Sequence, residues 1–412
     1  MKKRRIWIIS ELYYPEETST GYFLTRIAEG LADRFEVHAV CSRPTYSERH
    51  VQVPWREMRG GVEIHRMRST RLDKDWIFGR ILNLMTFTLA TFFACLIQLR
   101  RGDQLLVVTN PPTIAPVVGM IARLKGARAV LLVHDVYPEV LVATGVLRGG
   151  SWSARLLGRL TSATYSLYDK VVVLGRDMAA VARSRLPGKE ERVTVITNWG
   201  DLDEVSPCDP NENPFLQKYN PSKRTLIQFS GNIGRTHDVE SILAIARSLA
   251  ARTDIQFHFV GAGGKAKLLS NGDEQLLNVL HLPRQPRQML GPMLASADAV
   301  VISFVDRMLG VSVPSRMYNV MAAGTPIIAM AHPESELAKV VSEEECGWVI
   351  SPGDAAEFAR ITQKLASPEG RIEAKRRGLR GRDAVERRFS LQMVLARYGE
   401  LFSEYDTPGD DR

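Results

Sequence analysis

The feature that most constrains this chain is an alternation, run twice with a break between. Short β-branched runs take turns with amphipathic segments. In the first half the runs are "IWIIS" (6–10), "EVHAVCS" (36–42), "VEIHRM" (62–67), "QLLVVTN" (104–110), "RAVLLVH" (128–134), "KVVVLG" (170–175) and "RVTVIT" (192–197). Helical segments fall between most of them, among them Gly21–Arg34, Pro112–Lys125 and Ser153–Tyr168. Such alternation predicts a parallel sheet with helices on both faces. Residues 198–223 break the pattern: Pro207, Pro210, Pro214 and Pro221 stand among Asn, Asp and Ser, which reads as a linker. The alternation then restarts with "TLIQFS" (225–230), "IQFHFVG" (255–261), "LNVLHL" (277–282), "DAVVISF" (298–304) and "TPIIAMA" (325–331). The expectation is an α/β chain of two doubly wound domains, 1–198 and 224–388, joined by 199–223. A last helical segment within 389–412 is free to cross back to the first domain. In such folds ligands bind at the carboxyl ends of the strands, and two facing domains leave a cleft between them.

Bulk properties agree with a globular chain of two cores: 412 residues, 45% hydrophobic and 24% charged. The apolar run after "MKKRR", Ile6 to Ile9, is too short for a signal sequence. Cys41, Cys95, Cys208 and Cys346 form no C-x-x-C pair. That argues against a cysteine zinc site or a disulfide framework and fits a reducing cytoplasm. The net charge of +8 is uneven, since Arg371 to Arg388 holds eight basic and three acidic residues. This run reads as a solvated helix face or as a surface for an anionic membrane. No nucleic-acid-binding pattern accompanies it, so nucleic acid is not an expected partner.

Between Arg80 and Arg100 lie 19 residues without a charge, "ILNLMTFTLATFFACLIQL". Their length alone would suit a membrane span. Strands expected on either side belong to one sheet, which argues against spanning. A stripe of Leu82, Met85, Leu89, Phe92, Leu96 and Leu99 runs along the segment, opposite Asn83, Thr86, Ala90, Ala94 and Gln98. Two readings stand: a crossover helix packed on the sheet, or a helix whose second face lies on a membrane, with 76–101 and the basic segments as the attachment.

Several strand ends carry residues suited to anion chemistry. "PSRMYNVMAAGTP" places Pro314, Ser315 and Arg316 at a helix start, where unpaired N–H groups and a guanidinium receive phosphate. "FSGNIGRTHD" ends a strand in Gly231, Asn232 and Gly234, followed by Arg235. "FVGAGG" repeats the pattern with Gly261. Glycines let backbone N–H groups approach a ligand closely. One such loop is weak; three in one domain point to a nucleotide diphosphate site. In the first domain "YYPEETSTGYF" puts Glu17 and Gly21 between a strand and a helix. "LVHDVYPEV" sets His134, Asp135 and Glu139 just past another strand, as candidates for acid–base work or sugar-hydroxyl contacts.

These stretches, with "GVEIHRM" and "VITNWGDL", stand in the order seen in family-4-type glycosyltransferases. The resemblance spans about residues 6 to 404 and is nearest to the bacterial branch acting in O-antigen, capsule and exopolysaccharide synthesis, N-acetyl-fucosaminyl transferases included. It implies a GT-B fold of two Rossmann-like domains, with donor bound by the second and acceptor by the first. It also implies retention of the anomeric configuration, no cofactor and no required metal. Carried over by position, Gly21 would meet the donor phosphate and His134 or Asp135 the transferred sugar. The Gly231–Gly234 loop, Pro314, Ser315 and Arg316 would hold the diphosphate. There is a departure: two glutamates common in relatives are replaced by Val311 and Asn319, and an arginine of the first glycine loop by Asn232. Arg235 and Arg316 are the substitutes at hand.

The sequence thus reads as a retaining hexosyltransferase. Its donor would be a nucleotide diphosphate sugar, UDP-linked by family analogy and carrying an N-acetylated or deoxy hexose. Its acceptor would be a glycan on polyprenyl diphosphate, at the inner face of the cytoplasmic membrane. Two other readings compete: a nucleotide-sugar epimerase of the same fold, and a non-catalytic membrane-associated subunit that only binds nucleotide or glycan.

Overall fold

The structure is a computed structural model that describes residues 3–45, 51–72, 76–269 and 276–404. Residues 405–412, at the end of the last expected segment, lie outside the described residues, as do 46 and 47. The chain divides into two compact units. The first takes the chain as far as Pro138, then Gly150–Ile196, then the chain from Val394 on; the second takes Glu139–Gly149 and Thr197–Met393.

The first unit is built on β1 (Arg5–Ile9), β2 (Glu36–Ser42), β3 (Arg56–Arg59), β4 (Val62–Met67), β5 (Gln104–Val108), β6 (Arg128–Val133), β7 (Lys170–Val173) and β8 (Val193–Val195). They form one sheet in the order β3-β4-β2-β1-β5-β6-β7-β8. All pairs are parallel except the β3–β4 hairpin. After a polar first residue the central strands are apolar, as a sheet covered on both faces requires: Ile6, Ile8, Ile9 and Leu105 to Val108 are all buried. The short hairpin strand "REMR" carries no apolar alternation, so periodicity does not reveal it.

The long uncharged segment forms the helix Ile77–Gln98. Its buried face is not the stripe of Leu82, Met85, Leu89, Phe92 and Leu96. Asn83, Phe87, Thr91, Ala94 and Cys95 are buried, while Leu82, Met85, Leu89 and Leu96 are exposed together with Phe78, Phe93 and Ile97. Small and hydrogen-bonded side chains permit the close approach. Asn83 accepts from Leu72 N and donates to Leu72 O, both at 2.9 Å, and Thr88 meets Thr113 at 2.7 Å. Of the expected stripe only Leu99, just past the helix, is buried.

The second unit is built on β9 (Thr225–Ser230), β10 (Ile255–Val260), β11 (Val279–Leu282), β12 (Ala299–Ser303), β13 (Ile327–Met330) and β14 (Gly347–Ile350). The order is β11-β10-β9-β12-β13-β14, parallel throughout. The proline-rich stretch read as a linker is packed into this unit. Asn213 caps the helix Pro214–Tyr219 through Phe215 N and Leu216 N, and Trp199, Asn213 and Phe215 are buried. The basic run forms the helix Pro368–Arg388, whose Gly378, Gly381 and Ala384 face inward. Much of its charge is matched on the spot: Arg377 with Glu373, Arg382 with Glu386, Arg387 with Asp383, Arg380 with Glu345 and Arg388 with Glu344.

The helix Leu391–Ser403 carries the chain into the first unit. There Phe402 meets Phe35 edge-on at 6.4 Å, and its carbonyl accepts from Gln104 Nε2 at 3.1 Å.

Candidate functional site

Strand order locates the ligand-binding ends in each sheet. In the first, the chain runs outward from β1 through β2 and β4, then returns to β5 on the other side of β1. In the second it runs outward from β9 through β10 and β11, then returns to β12 on the other side of β9. The loops that part at such a reversal leave a crevice at the carboxyl ends of the strands. In the first unit these are the loops after β1 and β5. In the second they are the loops after β9 and β12, which carry Gly231–Asp238 and Phe304–Ser315.

In the first unit the loop after β1 leads into the helix Ser19–Leu31, capped by Thr18, whose Oγ1 accepts from Gly21 N at 3.3 Å. A Cβ on Gly21 would lie 2.5 Å from the Glu16 carbonyl, so only glycine fits. Thr20 Oγ1 stands 3.4 Å from His134 Nδ1, and Thr109 Oγ1 accepts from His134 N at 3.2 Å. The fold thus joins the Gly21 turn, the end of β5 and His134. Burial pushes the His134 pKa down to about 4, so the ring is neutral at physiological pH. Its Nε2 is buried and has no partner among the described residues. Glu17 points to solvent; the buried carboxylate of this loop is Glu16, which accepts from Thr45 N. Asp135 is half-buried and already engaged. Glu139 opens the segment that groups with the other unit.

In the second unit the two glycine loops interlock. Gly231 N donates to Val260 O and Ile233 N to Ala262 O, each at 2.9 Å. Gly261, at φ 141°, has no room for a side chain, because a Cβ would lie 1.9 Å from Gly231 O. Gly231, at φ 132°, is closed off by Arg316, whose Nη1 would be 2.5 Å from an added Cβ. Gly231 and Asn232 are exposed, and Gly234 is buried against the Asn232 amide. Arg235 is exposed and makes no hydrogen bond or ion pair among the described residues.

Arg316 is the electrostatic centre of this loop cluster. Its Nη1 donates to Ser230 O at 2.7 Å and its guanidinium lies over the Phe229 ring at 4.7 Å. Its Nη2 stands 3.0 Å from His237 Nδ1 and 3.3 Å from His237 Nε2. His237 Nδ1 lies 2.7 Å from Ser303 O, which places the ring hydrogen on Nδ1 and leaves Nε2 as the acceptor for Arg316. Burial, then the Arg316 charge, push the His237 pKa down to about 3. Burial draws Arg316 down to about 10, so it stays charged at neutral pH. Among the described residues no carboxylate neutralises it, and its Nε has no partner. A desolvated guanidinium with neutral neighbours is a receptor for an anion.

The helix that Arg316 opens, Arg316–Ala322, differs from the expected anion-binding start. Ser315 makes no capping bond to it, and Met317 N is satisfied instead by Pro314 O at 3.0 Å. Pro314 is buried. Asn319 turns its Oδ1 to Asp201 N at 2.9 Å, which fixes the helix to the chain entering this unit. Val311 is 1% exposed and belongs to the core. Neither position offers a carboxylate substitute. The sequence resemblance put a basic position of the glycine loop at or near His237 and Asp238 without giving His237 a role; in the structure His237 positions Arg316, and Lys265, which sequence reasoning left out, donates to His237 O and Glu240, each at 2.8 Å. The signal for His237 was its place between the glycine loop and the helix cap Asp238.

Known proteins share this plan. The family described as "Glycosyl transferase 4-like domain" matches residues 20–199, and "Glycosyl transferases group 1" matches 224–367. The probable glycosyltransferase WbjE of Pseudomonas aeruginosa is 30% identical over 88% of this chain and 89% of its own. WcaI of Escherichia coli (strain K12), assigned to colanic acid biosynthesis as a glycosyl transferase, is 25% identical over 94% of this chain and 96% of its own. The sucrose-phosphate synthase of Thermosynechococcus elongatus superposes with TM-score 0.75 over 98% of this chain and 99% of its own, at 16% identity. HepE of Anabaena, solved in complex with UDP-glucose, gives 0.71 over 97% and 99%, at 12% identity. With both units matched in order and a relative similar over nearly its full length, the chain belongs to the family-4-type glycosyltransferases of the GT-B fold.

Proposed function

We propose that this glycosyltransferase moves a hexose from a UDP-linked donor to a lipid-linked glycan in bacterial cell-surface polysaccharide synthesis, with retention at the anomeric carbon. The observation that carries the donor reading is Arg316, a cation without a carboxylate partner among the described residues, set against Gly231 at the strand-order reversal. Breaking the anomeric bond leaves negative charge on the diphosphate. The guanidinium of Arg316, the exposed Arg235 and the N–H groups of the two glycine loops would stabilise that charge where it develops. In a front-face reaction the acceptor hydroxyl attacks the anomeric carbon as the bond to the leaving phosphate breaks, and the phosphate oxygen takes the acceptor proton. No protein nucleophile is then required. His134, held neutral, suits a hydrogen bond to the transferred sugar better than a proton transfer. The uridine base is supported by the fold likeness to HepE, solved with UDP-glucose, and the polysaccharide setting by the likeness to WbjE and WcaI.

The acceptor side is supported by an apolar surface on the first unit. Phe78, Met85, Leu89, Phe93 and Ile97 project from the helix Ile77–Gln98. The adjoining helices Ile114–Lys125 and Trp152–Ser166 expose Leu124, Trp152, Leu156 and Leu160, interleaved with Arg155 and Arg159. Apolar side chains rimmed by arginine fit the boundary of an anionic bilayer, where a polyprenyl-linked acceptor would reside. On this reading the protein is cytoplasmic and peripheral on the membrane.

The replacements at Val311 and Asn319 favour one other reading, a subunit that binds nucleotide without turnover. A panel of nucleotide sugars offered to the purified protein, with and without membrane lipid extract, separates them. Transfer predicts UDP release that depends on the extract, with a lipid-linked product of retained anomeric configuration. UDP release with a new epimer and no acceptor would mean epimerisation. Nucleotide binding without release under any condition would leave only the binding subunit.

A further inference from the structure

A cluster outside the donor and acceptor chemistry lies on one face of the first sheet. His38 on β2 is the register partner of Glu63 on β4, and His65 lies two residues further along β4. The pleat puts Glu63 and His65 on the same face. Their side chains converge: His38 Nδ1 stands 3.3 Å from His65 Nε2 and 3.3 Å from Glu63 Oε2, and His65 Nε2 stands 3.5 Å from Glu63 Oε1. His38 and His65 are buried and Glu63 opens to solvent. Trp7 of β1 stacks on the His38 ring at 4.4 Å and an interplanar angle of 17°, which fixes the ring.

The three ligand atoms face one another across edges of 3.3 to 3.5 Å. His38 Nε2 lies 3.1 Å from Glu36 Oε1, so Nδ1 is the ring atom turned to the centre. A ligand histidine whose far nitrogen donates to a carboxylate is the usual outer arrangement of a metal site. The spacing also selects a geometry. Tetrahedral zinc with bonds of about 2.0–2.1 Å has ligand–ligand edges of about 3.3–3.4 Å, near the observed 3.3 to 3.5 Å. Octahedral bonds of similar length give edges nearer ~3.0 Å.

We propose that His38, Glu63 and His65 bind a divalent transition-metal ion, with zinc the ion whose tetrahedral geometry fits, and water as the fourth ligand. The site lies upstream of the strand ends that carry Gly21 and His134, so its role is structural. It clips β4, and with it the β3–β4 hairpin at the sheet edge, to β2. Cysteine spacing is blind to it, because strand pairing brings the three ligands together.

The test uses the full-length protein without an affinity tag, stripped with chelator and titrated with zinc chloride in a calorimeter. The expected result is one equivalent bound, and a melting temperature raised by about 3 °C or more at saturating zinc. Cobalt in place of zinc should show the visible bands of a tetrahedral site. Glu63→Gln, a half-exposed and nearly isosteric change, should weaken zinc binding by about tenfold or more, and His65→Asn should abolish the one-equivalent site. No zinc binding by folded wild-type protein, or binding that both variants leave unchanged, would overturn the proposal. The titration needs neither donor nor acceptor, so its failure leaves the transferase reading intact.

Discussion

Single residues in this protein are tuned mainly by what they lack. His258 on β10 is fully buried beside Phe215, and neither ring nitrogen has a partner among the described residues. Burial, then the nearby Arg224 charge, push its pKa down to about 4. His134 and His237 are lowered in the same direction, chiefly by burial. Each folded pKa lies below the unfolded value of about 6.5, so the unfolded chain binds more protons in the window between. Stability therefore rises with pH from about 4 to 6.5 and is lost as pH falls through that window. His258→Phe should flatten this acid-side slope in denaturant titrations at several pH values. At pH 7 the variant should be no less stable than wild type, because two unpaired buried nitrogens are removed. Gly261 illustrates the opposite constraint, absence of space. Gly261→Ala puts a methyl group against Gly231 O at a φ of 141°. The expected loss is about 1–3 kcal/mol, read as a lower melting temperature, together with weaker UDP binding in calorimetry.

At the scale of elements, strands were more legible than faces. β-branched runs located twelve of the fourteen strands among the described residues. The two missed are β3 "REMR", which has no β-branched residue, and β14 "GWVI", which opens on glycine and tryptophan. The glycine loops were legible as well, since glycine at a strand end has few other uses. The cap was less so: Ser315 stands where a cap belongs, yet the turn closes through Pro314 O. For the helix Ile77–Gln98 the sequence showed two faces and could not say which one meets the protein. Asn83, Thr91 and Ala94 pack closest and leave Met85 and Phe93 outside. That choice of face has a measurable consequence. A Met85→Glu, Phe93→Glu variant should lose most of its binding to anionic vesicles in sedimentation. Its stability should change little, within about 0.5 kcal/mol per exposed position. A large drop in melting temperature would mean that the protein itself covers this face.

At the scale of the molecule, two sheets with reversed strand order determine where chemistry can occur. In the second unit the reversal between β9 and β12 brings together segments that lie about 80 residues apart: Arg316 donates to Ser230 O across 86 positions of sequence. The resemblance carried the family and the approximate place. It could not show that Arg316 lacks a carboxylate partner, or that His237 orients it, because both depend on packing between β9, β12 and the loop that follows. The stretch read as a linker packs into the second unit: prolines and asparagines mark turns, and turns can be packed as tightly as those around Phe215. The central claim is that Arg316 carries the charge-stabilising role at the donor diphosphate. The most direct test is steady-state sugar transfer by Arg316→Gln beside wild type, with UDP affinity measured on both. The account predicts folded protein, weakened UDP binding and a kcat/KM lower by about ten- to a thousand-fold. Unchanged turnover and unchanged UDP affinity in a folded Arg316→Gln protein would contradict it.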